Sequence, residues 1–353
     1  MPRRDCLRAC AIRCSTRFLI VEECERNLKG CRESLLSGRS NLLLILADPG
    51  LLAAKALNGT VRKTGPVTAA GELPVRTFAL DVWRRFRRAP GALAGAAVVG
   101  LIVLVAVFAP LIAGTDPLAQ NVAQGAQPPS PAHWFGTDKL GRDLFARILY
   151  GARISIRIGF VAVGLAITAG TLIGLIAGYA GKRVEAVLMG AMDVMLAFPS
   201  IILAIGITTI LGPSINNLML PVGIVYVPQY ARLARSSVLA VKEHDYVEAA
   251  RAIGAGVPAI LRRHVLPNIL APLLVQATLG IATAELEAAG LSYLGLGARP
   301  PVPEWGAMLN DARDYWLGAP WALIFPGVSI TVLVLGFNLL GDGLRDALDP
   351  QQR

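Results

Sequence analysis

The residues of this chain able to ligate a metal, attack a substrate or carry a proton are few, and their spacing argues against most of that chemistry. His133, His244 and His264 are too scattered to share a metal ion. The five cysteines, Cys6, Cys10, Cys14, Cys24 and Cys31, all fall within the first 31 residues. The first three suit one helical face, but the set lacks the C-x-x-C pairs and nearby histidine of a zinc site. In "GYAGKR", Gly178 to Arg183, Lys182 follows a glycine as in a phosphate-binding loop. Ile176 stands where that loop needs its first glycine, and Arg183 where it needs Ser or Thr. The chain itself is therefore not expected to hydrolyse ATP, and no catalytic residue, metal or cofactor is expected. Three carboxylates remain: Asp193, Glu285 and Glu287 lie inside long apolar runs, where an ionisable side chain is costly enough to be a functional candidate. The plainer reading of Asp193 is a buried aspartate hydrogen-bonded to a neighbouring helix. Glu285 and Glu287, close to the end of their run, are expected to face water or a translocation cavity.

Those apolar runs are the elements that must position the polar residues. Of 353 residues, 54% are hydrophobic and only 16% charged, which places the chain towards the membrane class. Six stretches approach the roughly 20 residues that a helix needs to cross the hydrocarbon core: residues 92–112, 158–180, 186–211, 215–231, 268–290 and 321–340. The fourth is short unless it extends past Arg232. Abundant Gly and Ala favour close helix packing, and Pro199, Pro221, Pro228, Pro272 and Pro326 are candidate kinks. The net charge of +10 is concentrated ahead of the first run: Arg84, Arg85, Arg87 and Arg88 abut it, whereas seventeen basic and sixteen acidic residues follow Pro90. That pattern sets membrane orientation and is not the footprint of nucleic-acid binding. It places both termini and the 242–267 loop in the cytoplasm. The loop between the first two spans dissents, because Lys139, Arg142, Arg147, Arg153 and Arg157 would then lie outside; Arg142 and Asp143 are read as part of a structural ion-pair cluster. Residues 1–75, whose apolar run at 41–57 carries Asp48 and Lys55, are expected to be an extension that is disordered or upstream of the working start.

The most informative segment is "DYVEAARAIGAGVPAILRRHVLPN", Asp245 to Asn268. Asp245 and Glu248 have the spacing of a capping box, and Gly254 stands where a left-handed cap would close the helix they begin. Gly256 gives a second bend and Pro258 suits the first turn of another helix. Arg262, Arg263 and His264 would lie near that helix's C-terminal end, terminated by Leu266-Pro267. The expectation is helix, glycine bend, helix, too structured for a passive connector.

Glu248-Ala249-Ala250, Gly254, and Leu266-Pro267 twelve residues after that glycine resemble the "EAA" signature of ABC importer permeases, the loop that docks on an ATP-hydrolysing subunit. His264 stands where the general pattern favours an apolar residue, and "RHVLPN" is similar to the form in the peptide branch. "HWFGTDKLGRDLFARILYGARISI", "LSYLGLGARPPVPEWGAML" and "FNLLGDGLRDALDP" resemble further motifs of dipeptide and oligopeptide permeases, so the likeness runs from about Arg76 to the end. Glu285 departs from the apolar residue expected at that point of the fifth span. The resemblance implies an all-α polytopic protein of the type I importer fold with six transmembrane helices in a bacterial or archaeal plasma membrane. Residues 76–130 would hold the first span and 131–353 the permease core. It implies a second related permease, two ATPase subunits, an extracytoplasmic substrate-binding protein and membrane lipid as partners. Asp245, Glu248, Ala249, Ala250, Gly254, His264, Leu266 and Pro267 would form the docking loop. Nickel chelates or glycosides are alternative cargoes, and an ion-coupled carrier using Asp193, Glu285 and Glu287 is the alternative from another class.

Overall fold

The computed structural model describes residues Val75–Leu348; the expectations for residues 1–75, including the cysteines, lie outside the described residues. Those described form α1 (Val75–Arg88), α2 (Pro90–Ile112), α3 (Leu144–Tyr179), α4 (Lys182–Leu196), α5 (Ser200–Leu211), α6 (Ile215–Lys242), α7 (Asp245–Ala252), α8 (Val257–Tyr293), α9 (Trp305–Ala312) and α10 (Trp321–Leu348), with no strand among them. The all-α expectation therefore holds.

The bundle is organised by α3 lying against α6. Gly170, Gly174 and Gly178 form a ridge of small residues at four-residue spacing along α3. A Cβ at Gly170 would stand 2.7 Å from the Val227 carbonyl oxygen, and one at Gly174 would stand 2.5 Å from that of Ala231. The two backbones thus approach as closely as a side chain's absence allows, which is how helices gain packing energy where lipid gives no hydrophobic drive. The Tyr230 hydroxyl then donates to the Gln276 carbonyl at 3.2 Å, tying α6 to α8. Ile158, Leu218, Ile269, Leu273 and Leu333 complete the core.

Among the described residues four helices, α2, α3, α8 and α10, are long and apolar enough to cross a membrane, and α4 with α5 would add a fifth as a bent pair. The expected continuous third span is thus corrected: the chain turns by 91° between Leu196 and Ser200. Pro199 has φ −55° and ψ 131°, and a residue preceding proline is driven out of the helical region. Pro221, Pro228, Pro272 and Pro326 lie within helices that run through them. The fourth run also extends beyond its expected end at 231, carrying α6 through Arg232 to Lys242.

At one end of the bundle, the 113–143 loop folds onto α9 and the start of α3. Asp138 accepts from the Leu140 and Arg142 backbone amides at 2.9 Å and pairs with the Arg142 guanidinium. Arg142 also reaches Asp311 at 3.5 Å, while Arg147 donates to the carbonyls of Pro117 and Pro301. Both arginines are almost wholly buried. The expected ion-pair cluster is present, but its carboxylates are Asp138 and Asp311; Asp143 instead caps α3 by accepting from the Phe145 amide at 3.0 Å. Burial, reinforced by the charge of Asp138, pushes the Tyr315 hydroxyl up to about 12. Glu304 caps α9, accepting from the amides of Gly306 and Ala307 at 2.8 and 2.7 Å.

Candidate functional site

The opposite end of the bundle carries the 245–268 segment. Asp245 and Glu248 both lie in the first turn of α7, but the capping position belongs to His244 and no side-chain cap forms there. The capping box is therefore corrected by one residue, which shifts Glu248 past the position from which it could reach back. Both carboxylates still complement the positive end of the helix. The exit is as expected: Gly254 has φ +84°, its amide bonds the Arg251 carbonyl at 2.9 Å, and the Ala255 amide bonds that of Ala250 at 3.0 Å. These are the two bonds of a Schellman motif. Gly256 then precedes α8 in an extended conformation, with Pro258 in the first turn.

The second helix does not stop at Leu266-Pro267. Residues Leu261–Val265 form a π-helical turn, with the Leu266 amide bonding the Leu261 carbonyl, and the chain continues as helix to Tyr293. Proline lacks an amide and crowds the carbonyl four residues back; one wide turn absorbs both without ending the helix. Arg262, Arg263 and His264 thus sit within a long helix, not at its end.

The segment has two sides. Val247, Ala250, Ile260 and Val265 are buried in the main core, whereas Glu248, Ala249, Arg251 and Ile253 are exposed, Ile253 by 86%. Lys242 donates to the Gly178 carbonyl, and Arg251 donates to the Tyr179 hydroxyl at 3.3 Å while lying over its ring. Tyr246 packs between the rings of His244 and His264, at 5.4 and 6.1 Å. Of the expected docking residues, His264 is brought across the glycine bend onto Tyr246, a residue outside the expected set. Tyr179 was missed by sequence reasoning; its signal was an aromatic residue at the foot of an apolar span. A cavity of about 500 Å³ beside α7 is lined by Lys242, Glu243, Glu248 and Arg251.

The three intramembrane carboxylates do not converge. Asp193 on α4 pairs with Arg232 of α6 at 2.6 Å, so it has the expected neighbouring-helix partner, but it is 59% exposed and not buried. Glu285 is 1% exposed, which corrects the expectation that it faces water or a cavity; it lies towards Ser155 without closing a hydrogen bond. Glu287 is half-buried beside Tyr226.

Residues 170–353 match the family described as binding-protein-dependent transport system inner membrane component, and residues 77–129 match the N-terminal TM domain of oligopeptide transport permease C. The chain belongs to this family of inner-membrane transport components. It is 49% identical over 273 residues to a dipeptide transport system permease protein of Alkalihalophilus pseudofirmus, covering 77% of this chain and 90% of that one. A dipeptide transport system permease protein of Haemophilus influenzae is 43% identical over 292 residues, covering 81% and 98% of the two chains. A glutathione transport system permease protein of Escherichia coli is 47% identical over 281 residues, covering 78% and 92%. The family match spans α4, α7 and all of α8, so the 245–268 segment and the bent pair both lie within the matched region.

Proposed function

We propose that this chain is a permease subunit of an ATP-driven importer of short peptides, coupled to its ATPase through residues 245–267. The observation that carries the reading is the two-sided build of α7. Val247 and Ala250 fix it in the core, the Gly254 turn fixes its exit, and an outer strip of Glu248, Ala249, Arg251 and Ile253 stands ready for another protein. A helix rigidly seated on the bundle transmits a push; Arg251 ties it to Tyr179 at the foot of α3, where Lys242 at the end of α6 also bonds. The peptide cargo is supported by the names of the relatives.

In this reading a second related permease completes the translocation path. Two ATPase subunits sit on the cytoplasmic face, and a substrate-binding protein delivers cargo on the other. Both termini and the coupling segment are cytoplasmic in a bacterial or archaeal plasma membrane. The arginines that opposed this orientation lose much of their weight. Arg142 and Arg147 are buried beside Asp138, and the positive-inside bias reads charges near the spans that remain available to the membrane surface. Six crossings follow if α6 spans and α4 with α5 together make one. Residues 76–130 supply the N-terminal segment and residues 131–353 the core.

The test is to assemble the chain with its neighbouring permease, ATPase and binding-protein genes in proteoliposomes. Uptake of di- and tripeptides should require ATP and the loaded binding protein, and a cysteine replacing Ile253 should crosslink to the ATPase subunit. Uptake driven by an ion gradient without ATP would replace this reading with that of a secondary carrier.

A further inference from the structure

The groove between α4 and α6 presents charges to neither the core nor the coupling segment. It is an open groove of about 930 Å³ lined by Lys182, Glu185, Gly190 and Asp193 from α4 and by Arg232 and Arg235 from α6. Arg232 and Asp193 pair at 2.6 Å with side chains 53% and 59% exposed, and Arg235 pairs with Glu185 about one turn away, less exposed. Hydrocarbon is the wrong environment for such a face, because exposed ionic side chains at membrane depth are costly. The neighbouring break between Leu196 and Ser200 adds an independent constraint. Non-helical backbone within a membrane persists where protein or a water-filled path surrounds it.

We infer that this groove contacts the charged termini of a peptide during its passage through the membrane. The inference rests on the peptide reading given above and extends it to named residues. Ion pairs in contact with water are weak and exchange partners readily. Arg232 can therefore release Asp193 to take an incoming carboxylate, and Asp193 can take an ammonium group. A free peptide carries one of each, set about 7 Å apart in an extended dipeptide. Arg232 and Arg235 are separated by about 4.5 Å of helical rise, and Lys182 adds a further positive charge at the groove's end. Two ion pairs thus lie about one helical turn apart along the groove, each offering a cation and an anion within reach of a short zwitterion.

The experiment uses Gly190→Cys in a full chain whose five native cysteines are replaced by serine, assembled with its partner subunits in proteoliposomes. A Cβ at Gly190 has no atom within 4 Å, so the introduced thiol should fit. A small cationic thiol reagent should label it from water. Dialanine present at high concentration during turnover should slow that labelling at least fivefold, whereas N-acetyl-dialanine amide, lacking both terminal charges, should not. Asp193→Asn combined with Arg232→Gln should abolish the protection in complexes recovered at unchanged yield. If that pair fails to assemble, the contrast between free and capped dialanine on the Gly190→Cys complex decides. A thiol unreactive in the assembled complex would mean that the partner permease covers the groove, and equal protection by both dipeptides would mean that termini are not read; either overturns the inference. A complex that imports no peptide at all removes the peptide reading itself. Normal peptide import without protection removes only the groove.

Discussion

The 113–143 loop and the 245–267 loop are both charged interruptions between apolar helices, and they use their charges in opposite ways. In the first, Arg142 and Arg147 turn inward, sharing Asp138 and reaching across to Asp311 and Pro301. In the second, Glu248, Arg262 and Arg263 remain at the surface while apolar Val247, Ile260 and Val265 turn inward. The contrast shows why a count of basic residues is an incomplete topology signal. A guanidinium neutralised within the fold contributes little to the field that the membrane surface meets, while one left in water contributes fully. One loop is thus held together by its buried charges, while the other keeps its charges in water, as the proposed docking role requires.

The largest effect should come from breaking the solid loop. Asp138→Asn removes the carboxylate shared by two buried arginines, and stripping one partner from a buried ion pair costs about 3–5 kcal/mol. Thermal unfolding of the detergent-purified protein should show the largest fall of any substitution considered, with poor accumulation in the membrane. If Asp138→Asn melts with the wild type, the two loops do not differ as described.

Next in size is Gly254→Val, which on the proposed reading attacks coupling and leaves the spans alone. A Cβ there would meet nothing within 4 Å, so the whole cost is the left-handed backbone at φ +84°, about 1–2 kcal/mol for an L-residue and more for a β-branched one. The assembled complex should retain its subunits while substrate-stimulated ATP hydrolysis and uptake fall about tenfold or more. Gly254→Asn should be milder, because asparagine tolerates this conformation. Wild-type coupling in Gly254→Val would reduce α7 to a surface hairpin.

The glycine bend was legible because Gly254 and Pro258 each constrain one residue's backbone, a local property that sequence carries directly. The π-turn was not. Leu266-Pro267 is a sound local stop signal, but Ile260, Val265 and Ile269 must all reach the same core, and continuous helix with one widened turn satisfies them together. The bend at Pro199 was illegible for the converse reason. Pro199 is exposed, whereas Pro221 and Pro228 are buried in a helix held by its neighbours; the proline is the same and the packing around it decides. Likewise, Asp138 lies only four residues from Arg142, but its link through Arg142 to Asp311 spans 169 positions that no spacing rule connects.

A smaller effect sharpens the comparison through two acids at helix N-termini. Glu304 is buried, and desolvation raises its pKa although the Gly306 and Ala307 amides favour the charged form. For a raised carboxyl, the stabilising contribution is complete below the unfolded-state pKa and is lost as pH rises through the folded-state value. Glu304→Gln, which does not titrate, should therefore gain in melting temperature relative to the wild type as pH increases from the ordinary glutamate range. A melting temperature of Glu304→Gln that falls relative to the wild type with rising pH would contradict the sign.

Glu248 should show the smallest change in stability. It lies in the exposed first turn of α7, where a negative charge complements the helix dipole by about 0.3–1 kcal/mol and salt screens much of that. Glu248→Lys reverses the sign without touching the core, so melting should shift little and the shift should shrink in high salt. Its functional effect should nevertheless exceed that of Glu248→Gln, because the lysine changes the charge that the outer strip of α7 offers a partner. Measured side by side, the two variants separate helix stability from docking. If uptake falls no further in the lysine variant than in the glutamine one, the charge on that strip is not read by the ATPase, and the exposed Ile253 and Ala249 must carry the contact.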